Sequence, residues 1–487
     1  MTASTTGMSA PLPAPGDLTA LDALALSDAI RRGVVSCREV MREFLDRIDR
    51  LNPHVNAIIA LRDEDELLAE AEEHDRLLRR GQYLGRLHGF PHAVKDLSDA
   101  AGLATTKGSP LLRDNIPATD APHVQRIRNA GAIIIGKTNT PEFGLGSQTY
   151  NPLFGTTRNP YDLARCAGGS SGGAAAALAL RMLPVADGTD FMGSLRNPAA
   201  FNNVIGFRPS YGRVPEAGFI AAPAVAGPMA RSVADAAMLL SVMAGPDAGA
   251  PLAIEQDPAM FAEALDHDHR GTRIAWAGDF AGYLATEPGL LDLCRSSFQA
   301  FEQIGCTVEE ALPAMPLAQV WETFLLWRHW LTAGALHPLY VDPASRAQLK
   351  PEAVWEVEQG LRLSAHDVYR AEEMRIRWYA SVQELLRRYD FILAPSAQVF
   401  PFDASLPWPR EINGRPMDTY HRWMETVAPW SLTSLPVLNL PVGFDERGLP
   451  MGVQVIGRSH ADLEVLRLGH AYDQATQWPG RVQPKLP

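Results

Sequence analysis

Three serines stand in a glycine-rich stretch where they could act as nucleophiles. The stretch reads RCAGGSSGGAAAALALRMLPVADGTDFMGSLRNPAAF, from Arg165 to Phe201, and it contains Ser170, Ser171 and Ser194 but no histidine. A serine hydroxyl becomes a nucleophile when an adjacent base takes its proton. Because the stretch offers no imidazole, another part of the chain must supply the base.

The segment GGSSGG predicts a tight turn in which backbone N–H groups approach a ligand closely. The alanine-rich run after it predicts a helix, and N–H groups at a helix start favour an anion or a developing oxyanion. A flexible or closely packed turn is the simpler alternative. A nucleophile elbow is a third interpretation, since Gly168 to Gly172 fits G-x-S-x-G. The elbow needs a buried strand before it, and the preceding NPYDLARCA is polar and turn-like, which disfavours this interpretation.

Two further segments carry groups that complete this chemistry. Gly193 and Ser194 follow Asp190 in GTDFMGS, and consecutive N–H groups around a serine can form an oxyanion hole. In GFPHAVKDL, Lys95 ends a predicted strand, and a lysine in apolar surroundings loses its charge readily and can then act as a base. Asp96 is its neighbour, but adjacent strand residues point to opposite faces. The alternative for Lys95 is an ordinary ion pair with a carboxylate.

The combination of these segments resembles the amidase signature family. The resemblance rests on AVKD with Lys95, on GGSSGG, and on GTDxxGSxRxPAAFxxVxGFRPSYGRVP, in this order and with 24 positions from Ser170 to Ser194. It extends over nearly the whole chain, including GKTNTPEFGLGS and SLPVLNLPVGFDERGLPMGVQVIG. The long combined motif is far more specific than any of its parts.

The resemblance implies hydrolysis of amide bonds, and in some members of ester or carbamate bonds, by a Ser–cis-Ser–Lys triad. By position, Ser194 would be the nucleophile, Ser170 the bridging serine and Lys95 the general base. The Gly169–Ser170 peptide bond would be cis. Ser171 would support the hydrogen-bond network.

The resemblance also assigns the groups around the nucleophile. The oxyanion hole would consist of four backbone N–H groups, those of Phe191, Met192, Gly193 and Ser194. Asp190 and Arg196 would brace this loop. The chemistry needs no cofactor, and we expect none.

The sequence departs from the commonest family pattern where a substrate would bind. It reads DFMGS where many members read DTGGS, so Phe191 and Met192 add large side chains. Tyr150 stands where many members carry an acidic residue. These three residues predict an apolar substrate pocket. We therefore expect aryl or alkyl amides as substrates, as in aryl acylamidase- or urethanase-like members, with carbamates (urethanes) and esters as further candidates.

Two other functions are compatible with the same motifs. One is the glutamine-hydrolysing component of a tRNA-dependent amidotransferase, which uses the same chemistry within a hetero-complex. The altered DFMGS and the tryptophan-rich region argue against it. The other is a non-catalytic binding protein on the same scaffold, which the intact set of Lys95, Ser170 and Ser194 disfavours.

The segments around the motifs alternate between predicted helices and strands. Residues 17–80 show helical patterns, with Ser36 as an N-cap and Pro53 as the end of the second helix. Short apolar runs such as AIIIGKTN, RIAWAG and LNLPVGF predict buried strands. This alternation predicts an α/β fold in which helices cover both faces of a large sheet. The resemblance implies the same: the amidase signature fold, with a large twisted mixed β-sheet.

We expect a disordered, Pro- and Ser/Thr-rich lead over residues 1–16 and one amidase signature domain over residues 17–487. Residues from about 245 to 430 form an aromatic-rich, variable region, since eight of the ten tryptophans lie between Trp321 and Trp430. We predict that this region shapes the substrate pocket. Burial in the core is the alternative for its aromatic residues.

Composition narrows the class of protein. The 487 residues are 46% hydrophobic and 21% charged, as in ordinary globular proteins, and the net charge of −12 argues against a nucleic-acid partner. The four cysteines form no C-x-x-C pair, and neither a signal peptide nor a membrane-spanning stretch is evident. We expect a cytoplasmic protein whose partner is a small-molecule amide or carbamate. The chain acts as a monomer or a homo-oligomer, between which the sequence does not decide.

No metal site is predicted. The sequence lacks H-E-x-x-H, and His267 and His269 are expected on a solvated loop. His88 and His92 flank the strand that carries Lys95. We interpret both as structural, with contact between His92 and the pocket as the alternative.

Overall fold

A computed structural model describes residues 17–486. The predicted disordered lead, residues 1–16, lies outside the described residues. The α-helices are α1 (Ala23–Arg31), α2 (Cys37–Val55), α3 (Glu64–Arg79), α4 (Pro122–Asn129), α5 (Gly172–Ala179), α6 (Arg196–Phe201), α7 (Val233–Met243), α8 (Leu290–Ser296), α9 (Phe298–Gln303), α10 (Leu317–Val341), α11 (Pro343–Arg346), α12 (Pro351–Gly360), α13 (Ala365–Leu386), α14 (Ala428–Leu432), α15 (Asp462–Thr476) and α16 (Trp478–Arg481).

The strands are β1 (Ile58–Ile59), β2 (Pro91–Lys95), β3 (Ile133–Thr138), β4 (Tyr150–Asn151), β5 (Gly155–Thr156), β6 (Arg158–Asn159), β7 (Asp162–Cys166), β8 (Ala186–Asp190), β9 (Ile205–Arg208), β10 (Val225–Ala230), β11 (Arg273–Trp276), β12 (Thr307–Glu310), β13 (Phe391–Pro395), β14 (Glu411–Ile412), β15 (Arg415–Pro416), β16 (Val437–Phe444) and β17 (Pro450–Ile456). Short 3-10 helices are Leu18–Ala20, Pro110–Leu112, Glu142–Gly144, Pro258–Ala262 and Arg422–Val427.

The N-terminal helices form as the sequence predicts, with one difference at the end of α2. Ser36 and Glu39 make a reciprocal capping box at its start. Pro53 does not end the helix, which continues to Val55. A proline in the last turn removes one backbone hydrogen bond only, and Asn56, with a left-handed backbone, ends the helix instead.

The large sheet has eight strands in the order β12-β11-β13-β17-β16-β9-β10-β8. β11 is parallel to β12 and β13, and the other pairs are antiparallel, so the predicted mixed sheet is confirmed. Helices α6, α8 and α15 pack against the central strands β16 and β17. All seven residues of β17 are buried. This burial explains why these strands have near-continuous apolar sequences instead of alternating ones.

The strand that carries Lys95 lies outside the large sheet. β2 belongs to a three-stranded sheet with the order β1-β3-β2. The two sheets meet at β8, the edge strand of the large one, where the Asp187 carboxylate accepts the backbone N–H of Lys95 at 3.3 Å. The end of β2 is thereby held against β8.

The segment before GGSSGG differs from the sequence expectation. NPYDLARCA does not form a turn only, because Asp162–Cys166 is strand β7 and pairs with β6. Most of β7 is only partly buried. The two-stranded pair of β6 and β7 therefore does not supply the buried strand that a nucleophile elbow needs.

The aromatic-rich region of residues 245–430 contributes to both the core and a cavity. It supplies strands β11, β12 and β13 of the large sheet. Trp378, Trp423 and Trp430 are fully buried, as the core alternative expects. Helix α10, in the same region, lines the cavity described below. Within residues 17–486, no helix is long and apolar enough to cross a membrane.

Helix α5 packs so closely at its start that Gly173 should tolerate no side chain. A Cβ added there would lie 2.5 Å from the Ala57 carbonyl oxygen and 2.8 Å from that of Asn139. We expect Gly173→Ala to lower the free energy of unfolding by about 1–3 kcal/mol, measured by urea denaturation. Gly334→Ala is the control, since Gly334 lies in α10 with open space around it. The control should be neutral or stabilising, because alanine favours a helix interior; equal losses in both variants would contradict the packing argument.

Candidate active site

The Lys95 side chain is completely buried and is surrounded by oxygen atoms of neutral groups. Its Nζ lies 2.9 Å from Ser170 Oγ, 2.8 Å from Ser171 Oγ and 2.9 Å from Thr189 Oγ1. Among the described residues no carboxylate lies within ion-pair distance of this amine. The alternative of an ordinary ion pair for Lys95 is therefore not what the structure shows.

Burial lowers the pKa of Lys95 to about 7, from an ordinary value of 10.5. The negative charges of Asp187 and Asp190 oppose this shift, since they favour the protonated amine. A substantial fraction of the amine is therefore neutral near pH 7. A neutral amine donates two hydrogen bonds and has one lone pair, so one of the three nearby hydroxyls can donate to it.

The loop between β7 and α5 places Ser170 and Ser171 at this amine. The Gly169–Ser170 peptide bond is cis, as the resemblance implies. The Gly169 N–H donates to Asn197 Oδ1 at 3.1 Å, and the Ser171 N–H donates to the Ser194 carbonyl at 3.2 Å. The two serine segments are thus joined through backbone groups.

Ser194 lies in the turn between β8 and α6, and this turn is built on glycine. Gly193 has φ +81°, in the left-handed region, and an added Cβ would lie 2.7 Å from Val427 Cγ2. The Ser194 hydroxyl makes no hydrogen bond to any group in residues 17–486. The structure therefore brings Lys95 and Ser170 into direct contact, while the Ser194 hydroxyl remains available to a substrate.

The proposed oxyanion hole has three unengaged donors instead of four. Gly193 donates its N–H to Asp190 Oδ1 at 2.8 Å. The N–H groups of Phe191, Met192 and Ser194 donate to no group in the described part of the chain. Sequence reasoning did not foresee that the side chain of the bracing aspartate would occupy one donor of the turn.

Asp190 and Arg196 form a buried ion pair beneath the turn. Arg196 Nη2 lies 2.9 Å from Asp190 Oδ1, and both side chains are fully buried. Arg208 Nη1 donates to the Asp190 carbonyl at 2.6 Å, and its charge lies 3.6 Å from the carboxylate. Burial alone raises the pKa of Asp190, but the two guanidinium groups and the Leu195 N–H hold it well below its usual value. The carboxylate therefore stays ionised and keeps accepting the N–H groups of the turn.

A cavity of about 320 Å³ lies beside Phe191, the first residue of the turn that carries Ser194. Phe191 and Gly144 line it, and a Cβ added at Gly144 would lie 3.6 Å from Ser170 Oγ. Tyr150 and Met192 are not among its lining residues, so their place in a substrate pocket stays a prediction. Helix α10 forms much of the opposite wall.

Comparison with known proteins identifies the family. A sequence model described as Amidase matches residues 39–466. This chain belongs to the amidase signature family. An acylamidase of Rhodococcus erythropolis is 33% identical to this amidase over 465 residues, which are 94% of this chain and 96% of the relative.

Two further comparisons cover nearly the whole amidase. A glutamyl-tRNA(Gln) amidotransferase subunit of Moorella thermoacetica is 33% identical over 494 residues, covering 96% of this chain and 99% of the relative. The crystal structure of a bacterial aryl acylamidase of the amidase signature family has a TM-score of 0.88 at 28% identity, covering 96% of this chain and 100% of that chain. The amidase is therefore an amide-hydrolysing enzyme that acts on C–N bonds.

Four polar residues of the site escaped sequence reasoning or were given a minor place in it. The Asp187 carboxylate accepts from His92 Nε2 at 3.0 Å, and His123 Nε2 lies 3.6 Å away. Burial favours the neutral acid, but interactions with His123 and His92 hold the pKa of Asp187 well below its usual range. Thr189 supplies the third oxygen around Lys95. The Lys95 backbone N–H donates to the same Asp187 carboxylate, which lies 92 positions further along the chain, and no sequence pattern announces such a contact.

The histidines singled out in the sequence lie in different environments in the amidase structure. His92 bonds the carboxylate behind Lys95 and is fully buried, so its contacts are structural, as expected. His267 and His269 make an edge-to-face contact, with ring centroids 5.1 Å apart. His267 is exposed as expected, but His269 is buried, so the expectation of a solvated position is wrong for His269. In residues 17–486, no group of three or more His, Cys, Asp or Glu side chains is placed to hold a metal ion.

The buried ion pair predicts a large stability effect. Arg196→Met leaves the Asp190 carboxylate without its two closest charged hydrogen bonds, so we expect a loss of about 3–5 kcal/mol in the free energy of unfolding, measured by urea denaturation. Arg387→Met is the control, because the side chains of the Arg387–Glu384 pair are 77% and 63% exposed. The control should leave stability unchanged within error. A loss below about 1 kcal/mol for Arg196→Met would contradict the bracing role.

Proposed function

We propose that this amidase cleaves aryl or alkyl amides through a covalent acyl-enzyme on Ser194, with Ser170 as the proton relay and Lys95 as the base. The contact between the buried Lys95 amine and Ser170 Oγ at 2.9 Å, without a competing carboxylate, carries the proposal. The lowered pKa of Lys95 supports it, because only the neutral amine can accept a proton.

The proposed reaction uses each of these groups in turn. Lys95 takes the proton of Ser170 while Ser170 takes that of Ser194, and the Ser194 oxygen attacks the amide carbonyl. The unengaged N–H groups of the turn stabilise the oxyanion of the tetrahedral intermediate. The proton then returns through Ser170 to the leaving nitrogen and the C–N bond breaks. Water releases the acyl group by the reverse route. The hydrogen bond between the two serines would form in the substrate complex, since such bonds are often longer in free enzymes.

The substrate class rests on the cavity and on the relatives. The cavity wall includes Phe191 and several leucines, so it favours an apolar group next to the scissile bond. The similarity to proteins named acylamidase and aryl acylamidase supports the same class. Carbamates and esters present the same carbonyl to the nucleophile and remain secondary candidates.

A second candidate is glutamine hydrolysis within an amidotransferase complex. The similarity to the amidotransferase subunit of M. thermoacetica over almost its full length favours it. Hydrolysis of glutamine, together with purification as a hetero-complex, would support this function over the first.

The triad predicts which substitutions abolish turnover. Ser194→Ala and Lys95→Met should each lower kcat/KM for an anilide by roughly 10³-fold or more, measured by aniline release. Ser296→Ala, at an exposed position in α8, should retain full activity. A fluorophosphonate should label the wild type and the Ser296→Ala variant but not Ser194→Ala.

The same assay tests the substrate class. The wild type should cleave the anilide faster than the matching phenyl carbamate and the primary amide with the same acyl group. Preference for the primary amide would contradict the apolar pocket, and full activity of Lys95→Met would remove the proposed base.

The lowered pKa of Lys95 predicts the pH dependence of the reaction. Because the neutral amine is the base, kcat/KM should rise with pH, with a midpoint near 7 instead of near 10.5. Asp187→Asn removes a negative charge that favours the protonated amine, so the midpoint should move to lower pH. Asp268→Asn, at an exposed carboxylate paired with Arg270, should leave the profile unchanged. A flat profile, or an upward shift in Asp187→Asn, would be inconsistent with this role of Lys95.

A further inference from the structure

Arg328 presents an unused hydrogen-bond donor at the cavity. The residue lies in α10, is 5% exposed and belongs to the cavity lining. Its Nε donates to Glu356 Oε1 at 2.6 Å and its Nη2 donates to Tyr420 Oη at 2.5 Å. Nη1 has no hydrogen-bond partner in residues 17–486. A buried guanidinium normally uses all its donors, so Nη1 is the group left for a ligand.

The surroundings of Arg328 fix the guanidinium in place. Tyr420 Oη also donates to Glu356 Oε1 at 2.7 Å, and His329 Nδ1 lies 2.5 Å from Glu356 Oε2. Although burial opposes the charged form, Tyr420 and Glu356 raise the pKa of Arg328 above its usual value. Arg328 therefore stays charged at every pH at which the enzyme works. Hydrogen bonds to Glu356 of α12 and to Tyr420 fix the orientation of its guanidinium group.

A second cation lines the same cavity. Lys107 is half-buried and takes part in no ion pair within the described residues. Its backbone has φ +50°, in the left-handed region, which is unfavourable for residues other than glycine. The Phe143 N–H donates to its carbonyl at 2.7 Å and helps to hold this conformation. Strained residues of this kind gather at ligand sites.

Apart from Thr332, the rest of the cavity wall is apolar, and it carries no negative charge. The lining contains no Asp or Glu, and Leu331, Leu336 and Leu339 of α10 cover one side. The charge of Arg328 is balanced by Glu356, so Lys107 supplies the net positive charge and Arg328 a fixed donor. The Arg328 guanidinium lies 5.4 Å from the centre of the Phe191 ring, beside the oxyanion turn. A group bound there would lie next to Phe191, at the start of the turn that leads to Ser194.

From this arrangement we propose that the amidase prefers apolar amides that carry a carboxylate near the scissile bond, bound by Arg328 Nη1 and Lys107 with the apolar remainder along α10. The proposal rests on the proposed function for the identity of the reacting group. Charge-assisted hydrogen bonds of this kind are roughly twice as strong as neutral ones, so the preference should be measurable.

Two substrate pairs test the preference, each with a carboxylate and an uncharged group of similar shape. N-Phenylsuccinamate and 4-methylpentananilide place the difference on the acyl side; N-acetyl-4-aminobenzoate and 4-isopropylacetanilide place it on the amine side. The wild type should favour the carboxylate in at least one pair, by about 10-fold or more in kcat/KM. Most of this difference should appear in KM, because the contact is made in both the bound substrate and the transition state.

The variants assign the preference to the two cations. Arg328→Met should reduce the preference by about 10-fold, and Lys107→Met should reduce it by a smaller factor because Lys107 is more exposed. Since Arg328→Met leaves Glu356 without its guanidinium, the double variant Arg328→Met/Glu356→Gln keeps the test valid if the single variant fails to fold. Arg387→Met, an exposed arginine, is the control and should keep the wild-type preference. An unchanged preference in the folded variants would overturn the proposal.

A binding measurement separates this proposal from the proposed function. Calorimetric titration of the Ser194→Ala variant with N-phenylsuccinamate and with 4-methylpentananilide measures binding without turnover. Binding of N-phenylsuccinamate should weaken at least several-fold when the substitutions Arg328→Met and Glu356→Gln are introduced into the same chain. If no anilide is hydrolysed but this binding pattern holds, the proposed substrate class fails and the carboxylate site stands. If the titration shows no difference between the uncharged isostere and the carboxylate, the carboxylate site is wrong.

Discussion

The burial of the Lys95 amine without a carboxylate partner constrains the groups around it. Removing a charged amine from water is costly, so the fold either neutralises the amine or provides a counter-ion. Here the nearest atoms are hydroxyl oxygens of neutral residues. The two acids whose charge acts on the amine, Asp187 and Asp190, are each engaged with other groups and make no hydrogen bond to it. The result is an amine that changes its charge near neutral pH.

The turn that holds Ser194 depends on a different principle, a fully paired buried charge. The Asp190 carboxylate accepts hydrogen bonds from the guanidinium of Arg196 and from two backbone N–H groups of the turn. Arg196 in turn donates to Gln454 and Ser431, which belong to distant parts of the chain. A network of this kind is satisfied only when all its members are in place. Ser194 and the free donors of the turn are therefore positioned by distant parts of the core as well as by their local sequence.

Local patterns in the sequence drew attention to Lys95 and Ser170 and predicted the buried strands, and the resemblance to the family implied the mixed sheet. The glycines and serines are adjacent, the strands are continuous apolar runs, and the long motif is specific. Sequence reasoning could not find the contact of Asp187 with His92, which joins residues 95 positions apart. Nor could it find the Arg328–Glu356 pair, whose partners lie on separate helices. The sequence predicted a single large sheet and did not distinguish the smaller sheet that contains the Lys95 strand. Apolar runs do not reveal which sheet a strand joins.

The meeting of β2 with β8 has a consequence for the solution behaviour of the molecule. β8 is the last strand of the large sheet, and such strands expose backbone groups to which another chain can attach. In this molecule β2 packs against β8. The two strands are connected by hydrogen bonds that involve side chains, such as Lys95 Nζ with Thr189 Oγ1, and not by a continuous series of backbone hydrogen bonds. Lys95 thus lies in a seam that also covers this one edge of the sheet, whereas the opposite edge strand, β12, is largely exposed. A substitution that displaces Lys95 or Asp187 would therefore loosen the contact that covers this edge as well as alter the site.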